Sequence, residues 1–259
     1  MTMSVGVTVS AAGPAAASNA SSPCNFAVLI AVRGSGEPAG SGLAHSGRVW
    51  TSGGMGGQIS VLANKMKAEA FPTYFESLNY PATVANYQGS VSAGAATLIN
   101  ELNWLATACG NYLPAVVIAG HSQGAHVISD ALGGGLWPNG PSLSTKAKQM
   151  VRAVTFFGDP QYWPTEAWNA PYSPSGYGVF TRNVLVRNDL STYRYWGWTQ
   201  GSTSPSPSWN SKIRSYCATG DYFCQKNPAD KNFTIHNSYR TTTMTIANNW
   251  IRYVLTSAG

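Results

Sequence analysis

Charged side chains are scarce in this chain. Lys, Arg, Asp and Glu make up 10% of its 259 residues, and the 16 basic groups that outnumber the 10 acidic ones are scattered along it. No run of them builds a stripe that could track phosphates, so the net charge of +6 does not point to nucleic acid. It reads as an aid to solubility, with weak attraction to an acidic surface. Beyond the N-terminal segment, long apolar runs are missing too: none reaches the roughly 18 residues of a membrane-spanning helix, so no span is expected. Cys24, Cys109, Cys217 and Cys224 lack metal-ligand spacing, and no metal site is expected from them. No internal repeat is visible.

What is abundant is Gly, Ser, Thr, Asn and aromatics, a composition nearer to secreted hydrolases than to Lys- and Glu-rich cytosolic proteins. The length suits one α/β domain. Residues 1–22 carry no charge and no aromatic, and read as a signal-peptide remnant without its basic region or as a disordered tail. The folded domain is therefore expected over 23–259. An even number of cysteines fits an oxidising compartment, with free buried thiols as the alternative. Three pairings are possible. Cys217 and Cys224 flank a short Gly-containing turn and can close a loop, which leaves Cys24 for Cys109.

The stretch Ala115 to Ala125 runs an apolar strand into Gly120-His121-Ser122-Gln123-Gly124, a G-x-S-x-G pattern, and on into an amphipathic run to Leu132. A serine hydroxyl attacks a carbonyl only if it projects from a tight turn, and the flanking glycines leave room for one. Ser122 is the candidate nucleophile. The helix behind it aims N–H groups at the place where an oxyanion would form, which makes the Gln123 N–H the first oxyanion donor.

The rest of the chain alternates strand and helix. Phe26 to Val32 is an unbroken apolar strand, followed by the polar turn Arg33-Gly34-Ser35-Gly36-Glu37-Pro38, where Ser35 could be a second oxyanion donor. Ser41 to Gly57 is Gly-rich and reads as a loop, with His45 as a solvated loop histidine. Helices are expected over Gln58–Ala70, Ser90–Ala108 and Thr241–Leu255, and strands over Tyr74–Leu78, Val151–Phe157 and Ile213–Cys217. This order predicts a parallel sheet with helices on both faces. Gln161 to Ser211 breaks the alternation. Its aromatics, among them Trp163, Trp168, Tyr172, Tyr177, Tyr193, Tyr195, Trp196 and Trp198, could line an acyl or sugar groove or simply pack the segment onto the domain.

Only His126 and His236 follow the serine in the order nucleophile, acid, histidine. His126 lies one turn along the same helix and suits packing or a local hydrogen bond. His236 precedes the last helix, where it can fold back over the sheet, and is the candidate base. By order the acid could be Asp130, Asp159, Glu166, Asp189, Asp221 or Asp230. Asp130 is on the elbow helix, and Asp230 sits in a charged turn that reads as solvated. Asp159 ends a strand at the correct edge and is the rival. Asp221 ranks first because a disulfide-tied turn between Cys217 and Cys224 would hold its carboxylate rigidly.

Cys24, the Arg33-Gly34-Ser35-Gly36-Glu37 turn, the Gly120 to Gly124 elbow, Cys217-x-x-Gly220-Asp221-x-x-Cys224 and His236-x-x-Tyr239 together resemble the cutinase family, including its actinobacterial members. The resemblance spans about residues 24 to 258. It implies a single-domain α/β-hydrolase fold with a central five-stranded parallel sheet flanked by helices. It also implies Ser122, Asp221 and His236 as catalytic residues, Ser35 and Gln123 as the oxyanion hole, and disulfides Cys24–Cys109 and Cys217–Cys224. Ester hydrolysis without metal or organic cofactor is expected. His121 stands where the family usually carries Tyr, and its side chain is expected to face away from the ester. The aromatic segment looks longer than in a minimal member.

The expectation is a secreted, monomeric serine esterase acting on polyester, lipid or acylated polysaccharide. The alternatives are an acyltransferase or cell-wall lipid (mycolyl-type) esterase, and a catalytically idle lipid- or polysaccharide-binding protein.

Overall fold

The computed structural model describes residues 20–24, 26–69, 71–134, 140–195 and 211–257. At its centre is β1 (Ala27–Val32), whose six apolar residues are all buried. It pairs in parallel with β4 (Thr73–Leu78) on one side and β5 (Ala115–His121) on the other. Beyond β5 lie β6 (Val151–Phe157) and β7 (Ile213–Tyr216), also parallel. These five strands form the expected parallel sheet, but the sheet does not stop there. A hairpin of β2 (Gly40–Ala44) and β3 (Val49–Gly53) adds to β4 in antiparallel register, giving seven strands in the order β2-β3-β4-β1-β5-β6-β7.

The hairpin corrects the reading of 41–57 as a loop. Its glycines lower β-propensity and hide the pattern. Register supplies what propensity lacks: Val49 and Trp50 pair with Leu78 and Ser77 and are buried. His45, in the hairpin turn, is not a solvated histidine either. Its ring stacks on Trp104 at 3.7 Å, and its Nδ1 lies 2.7 Å from a Glu101 carboxylate oxygen.

Side-chain alternation along β1 divides the core in two. Val28, Ile30 and Val32 face the layer built by α2 (Tyr87–Ala108), α3 (Gln123–Leu132), α4 (Thr145–Met150) and α5 (Val184–Leu190). Leu29 and Ala31 face α1 (Gly57–Lys67) and α7 (Thr242–Ser257). The sequence did not reveal α4 or α5, which are too short to display a period.

Both disulfides are present, Cys24 to Cys109 and Cys217 to Cys224, with no free cysteine among the described residues. The first joins the lead-in to β1 to the end of α2 across 85 residues. A loop of that length restricts the unfolded chain by about 4.6 kcal/mol in the chain-entropy account. Replacing Cys24 and Cys109 together with serine should therefore lower Tm well beyond a surface substitution, in a thermal melt that leaves the far-ultraviolet dichroism of the folded state unchanged.

The described part of the Gln161 to Ser211 segment, 161–195, is anchored to the domain. Tyr162, Trp168 and Tyr193 are buried, while Tyr172 and Tyr177 are exposed. Trp196 and Trp198 lie outside the described residues.

Candidate active site

The apolar strand β5 ends at His121, and the next residue, Ser122, turns with φ 54° and ψ −121°. This is a left-handed conformation that a non-glycine residue adopts only when its surroundings hold it there. Two contacts do so. The Ser122 N–H donates to the Phe157 carbonyl at 2.9 Å, and the Ser122 carbonyl accepts from the Ala125 N–H of α3 at 2.9 Å. Gly124 lets α3 approach β1, since a Cβ there would collide with the Val32 carbonyl oxygen.

Gln123 is the first residue of α3, so its N–H has no acceptor within the helix. Its side chain is fully buried and ties the elbow to its neighbours. Nε2 donates to the Thr83 carbonyl at 3.0 Å, and Oε1 accepts from the Ser90 hydroxyl at 3.1 Å.

Ser35 occupies the half-buried turn leaving β1. That turn is held from inside by Arg33, whose guanidinium donates to the Glu37 carbonyl at 2.9 Å and the Tyr80 carbonyl at 2.7 Å. The same guanidinium lies 4.8 Å above the Trp50 ring. The Glu37 carboxylate accepts from the Gly34 and Gly57 N–H groups, both at 2.5 Å, and so joins the turn to the start of α1. Arg33 and Glu37 were legible as parts of a motif, but not as the fasteners of the Ser35 turn.

Asp221 caps α6 (Tyr222–Gln225), its Oδ1 accepting from the Phe223 and Cys224 N–H groups at 2.7 and 3.0 Å. The His236 Nδ1 lies 2.9 Å from Oδ2 and 3.1 Å from Oδ1. The Tyr239 hydroxyl donates to Oδ2 at 2.7 Å and accepts from the Ala218 N–H at 2.8 Å. Burial alone would raise the Asp221 carboxyl. The hydrogen bond and charge of His236, the Cys224 N–H and Tyr239 outweigh it and hold the group below its ordinary value. The carboxylate thus stays ionised, and its hydrogen bond keeps the proton of His236 on Nδ1, leaving Nε2 free to accept.

The histidine is placed by its backbone as well. Asp230, read from sequence as solvated, is buried, and its carboxylate accepts from the Ile235 and His236 N–H groups at 3.1 and 3.0 Å. His121 Nε2 donates to the His236 carbonyl at 2.9 Å, and the two rings lie 4.6 Å apart. Burial, then the neighbouring His236, lowers His121 to about 3, so it is neutral and carries its proton on Nε2. Gly158, with φ 60°, leaves space for the His236 ring, because a Cβ there would stand 2.8 Å from its Cε1. Phe157 receives the Ser122 N–H and Gly158 borders His236, so one turn brings the elbow and the Asp221–His236 pair together.

The other candidates serve elsewhere. Asp159 is ion-paired with the buried Arg182, which also donates to Glu166 at 2.8 Å, and this cluster anchors the aromatic segment. Asp189 lies on α5. His126 is buried and packs against α2, its Nδ1 lying 3.1 Å from the Tyr87 hydroxyl there.

Asp130 lies behind the elbow, 3.5 Å from His126 Nε2 through Oδ2, while its buried Oδ1 has no hydrogen-bond partner. Burial pushes its carboxyl up to about 7, Arg182 opposing and Asp159 reinforcing the shift. A folded-state value above the unfolded one of about 3.9 gives stability that is complete at low pH and is lost as pH rises towards 7. Asp130→Asn removes that loss. The Tm of the variant minus that of the parent should therefore increase from pH 5 to pH 8, and an equal difference at both would contradict the assignment.

A family model described as cutinase matches residues 23–255. Acetylxylan esterase 2 of Talaromyces purpureogenus is 27% identical over 184 residues, covering 65% of this chain and 68% of the relative. The catalytic core domain of an acetyl xylan esterase from Trichoderma reesei superposes with a TM-score of 0.64 at 23% identity, covering 89% of this chain and 99% of the other. A cutinase-like protein from Cryptococcus sp. gives 0.60 at 22% identity, over 90% and 97%.

Proposed function

The chain belongs to the cutinase family of carboxylic ester hydrolases, and from that premise we propose that it is a secreted serine esterase of short- and medium-chain acyl esters, with Ser122, His236 and Asp221 as its catalytic residues. Two observations support the reading: the buried Asp221–His236 pair, and a serine in a strained turn at a helix N-terminus whose N–H bonds Phe157, next to the Gly158 that borders His236. His236 Nε2 takes the Ser122 proton as Oγ attacks the ester carbonyl. The Gln123 N–H and a donor from Ser35 hold the oxyanion, and His236 returns the proton to the leaving alcohol. Water, activated in turn by His236, releases the acid.

Apolar side chains flank the site and support an acyl substrate. Phe223 lies 4.5 Å from the His236 ring and packs on the partly exposed Phe233, and the exposed Val84 follows the Thr83 that binds Gln123. Two disulfides support secretion, since such bonds persist in oxidising compartments.

The test is hydrolysis of p-nitrophenyl esters from acetyl to palmitoyl, with acetylated xylan added because a relative is named for it. Turnover should peak at acetyl to hexanoyl. Activity confined to palmitoyl would shift the substrate to long-chain lipids, and no activity on any ester would overturn the proposal.

A further inference from the structure

A second group of ligating side chains lies outside the residues assigned to ester hydrolysis. Glu76 is in register with Ile30 and so faces the α2 layer, where Glu101 of α2 and His45 of the hairpin turn meet it. One donor atom from each of the three lies within 4.8 Å of the others. His45 Nδ1 is 2.7 Å from Glu101 Oε1 and 3.6 Å from Glu76 Oε2. Both carboxylate side chains are fully buried. Glu101 is supported by Arg48, whose Nε donates to Oε2 at 3.0 Å, but neither oxygen of Glu76 has a hydrogen-bond partner.

A buried carboxylate without partners is costly, and a structure retains one where something else satisfies it. We propose that His45, Glu76 and Glu101 bind a divalent transition-metal ion, best matched by Zn²⁺, which fastens the β2–β3 hairpin to β4 and α2. One imidazole nitrogen and two carboxylate oxygens form a donor set for zinc. Its ligand atoms stand about 3.3 Å apart around a tetrahedral centre, a spacing that the 2.7 and 3.6 Å separations bracket. Stacking on Trp104 fixes the plane of His45, and Arg48 holds the outer oxygen of Glu101, the kind of support that orients metal ligands. The His45 side chain keeps 12% of its surface exposed, which gives an ion access.

The groups facing this site are His45, Glu76, Glu101, Arg48 and Tyr74. Burial, then Glu101, pushes the Glu76 carboxyl well above its ordinary value, with Arg48 opposing. Metal ligands must be deprotonated to bind, so affinity for the ion should rise with pH. The ion is structural and takes no part in ester chemistry.

Equilibrium dialysis of the full chain against Zn²⁺ tests the proposal, alongside thermal melts with and without the metal. Glu76→Gln keeps the shape of the side chain, and His45→Asn suits the positive φ of 50° at that turn. The parent should bind one high-affinity zinc per chain and melt higher with it. Each variant should bind at least about 100-fold more weakly, because even supporting partners cost 10–100-fold. Ser122→Ala should bind like the parent. No zinc uptake by the folded parent, as expected if Glu76 holds only a proton, would overturn the site, and so would equal uptake by parent and both variants.

Discussion

Replacing Ser122 with alanine is expected to lower kcat on p-nitrophenyl butyrate by about 10⁶-fold, the scale on which a serine hydrolase loses its nucleophile. The fold should survive. The Ser122 side chain caps no helix N–H, and its backbone is held by the bonds of its N–H to Phe157 and of its carbonyl to Ala125, which alanine retains. A Tm close to that of the parent separates lost chemistry from lost structure. His236→Ala should cost nearly as much, and the double variant little more, because the two groups act as a unit. Retention of a tenth of the activity by Ser122→Ala would remove it as nucleophile.

Asp221→Asn should lower kcat by about 10⁴-fold, through the tautomer of His236. The amide oxygen can still accept from the Phe223 and Cys224 N–H groups, so the cap on α6 persists. The amide NH₂ then faces His236 Nδ1 in place of the carboxylate oxygen now 2.9 Å away. Nδ1 must become an acceptor, Nε2 takes the proton, and Nε2 can no longer receive one from Ser122. Asp159→Asn should not change kcat in this way, because the Asp159 carboxylate is engaged by Arg182, and its effect should fall on Tm. Comparable kcat losses in both variants would return Asp159 to contention as the acid.

Much of this architecture is legible in the sequence where one local signal suffices. The run Phe26–Val32 is unbroken and apolar, and β1 occupies Ala27–Val32 of it. The elbow is equally local, since five consecutive residues specify strand, turn and helix. Order along the chain leaves His126 and His236, the place of His126 on the elbow helix disfavours it, and the disulfide-tied turn favours Asp221 for reasons of rigidity that the Cys217–Cys224 bond and the cap on α6 support.

What the sequence conceals depends on partners distant in the chain or on register. Asp159 looks free until Arg182, 23 residues later, folds against it. Asp230 looks solvated because its partners are backbone N–H groups, which carry no sequence signal. Tyr239 is visible as part of a motif, yet its hydroxyl bond to Asp221 appears only when α7 is approached through the loop that carries His236. The β2–β3 hairpin is hidden by its glycines, and with it the meeting of His45, Glu76 and Glu101 from a turn, a strand and a helix.

The central claim is that Ser122 is the atom-bearing nucleophile activated by His236 and Asp221. Diethyl p-nitrophenyl phosphate tests it directly, because attack by the serine oxygen forms a phosphorus–oxygen bond, expels p-nitrophenolate and passes the serine proton to His236. Intact mass and peptide mapping should find one diethylphosphoryl group per chain on Ser122, with loss of esterase activity in step. The adduct should be absent in Ser122→Ala and form far more slowly in Asp221→Asn. Complete inactivation with the phosphoryl group on another residue, or undiminished ester turnover after full labelling of Ser122, would contradict the account.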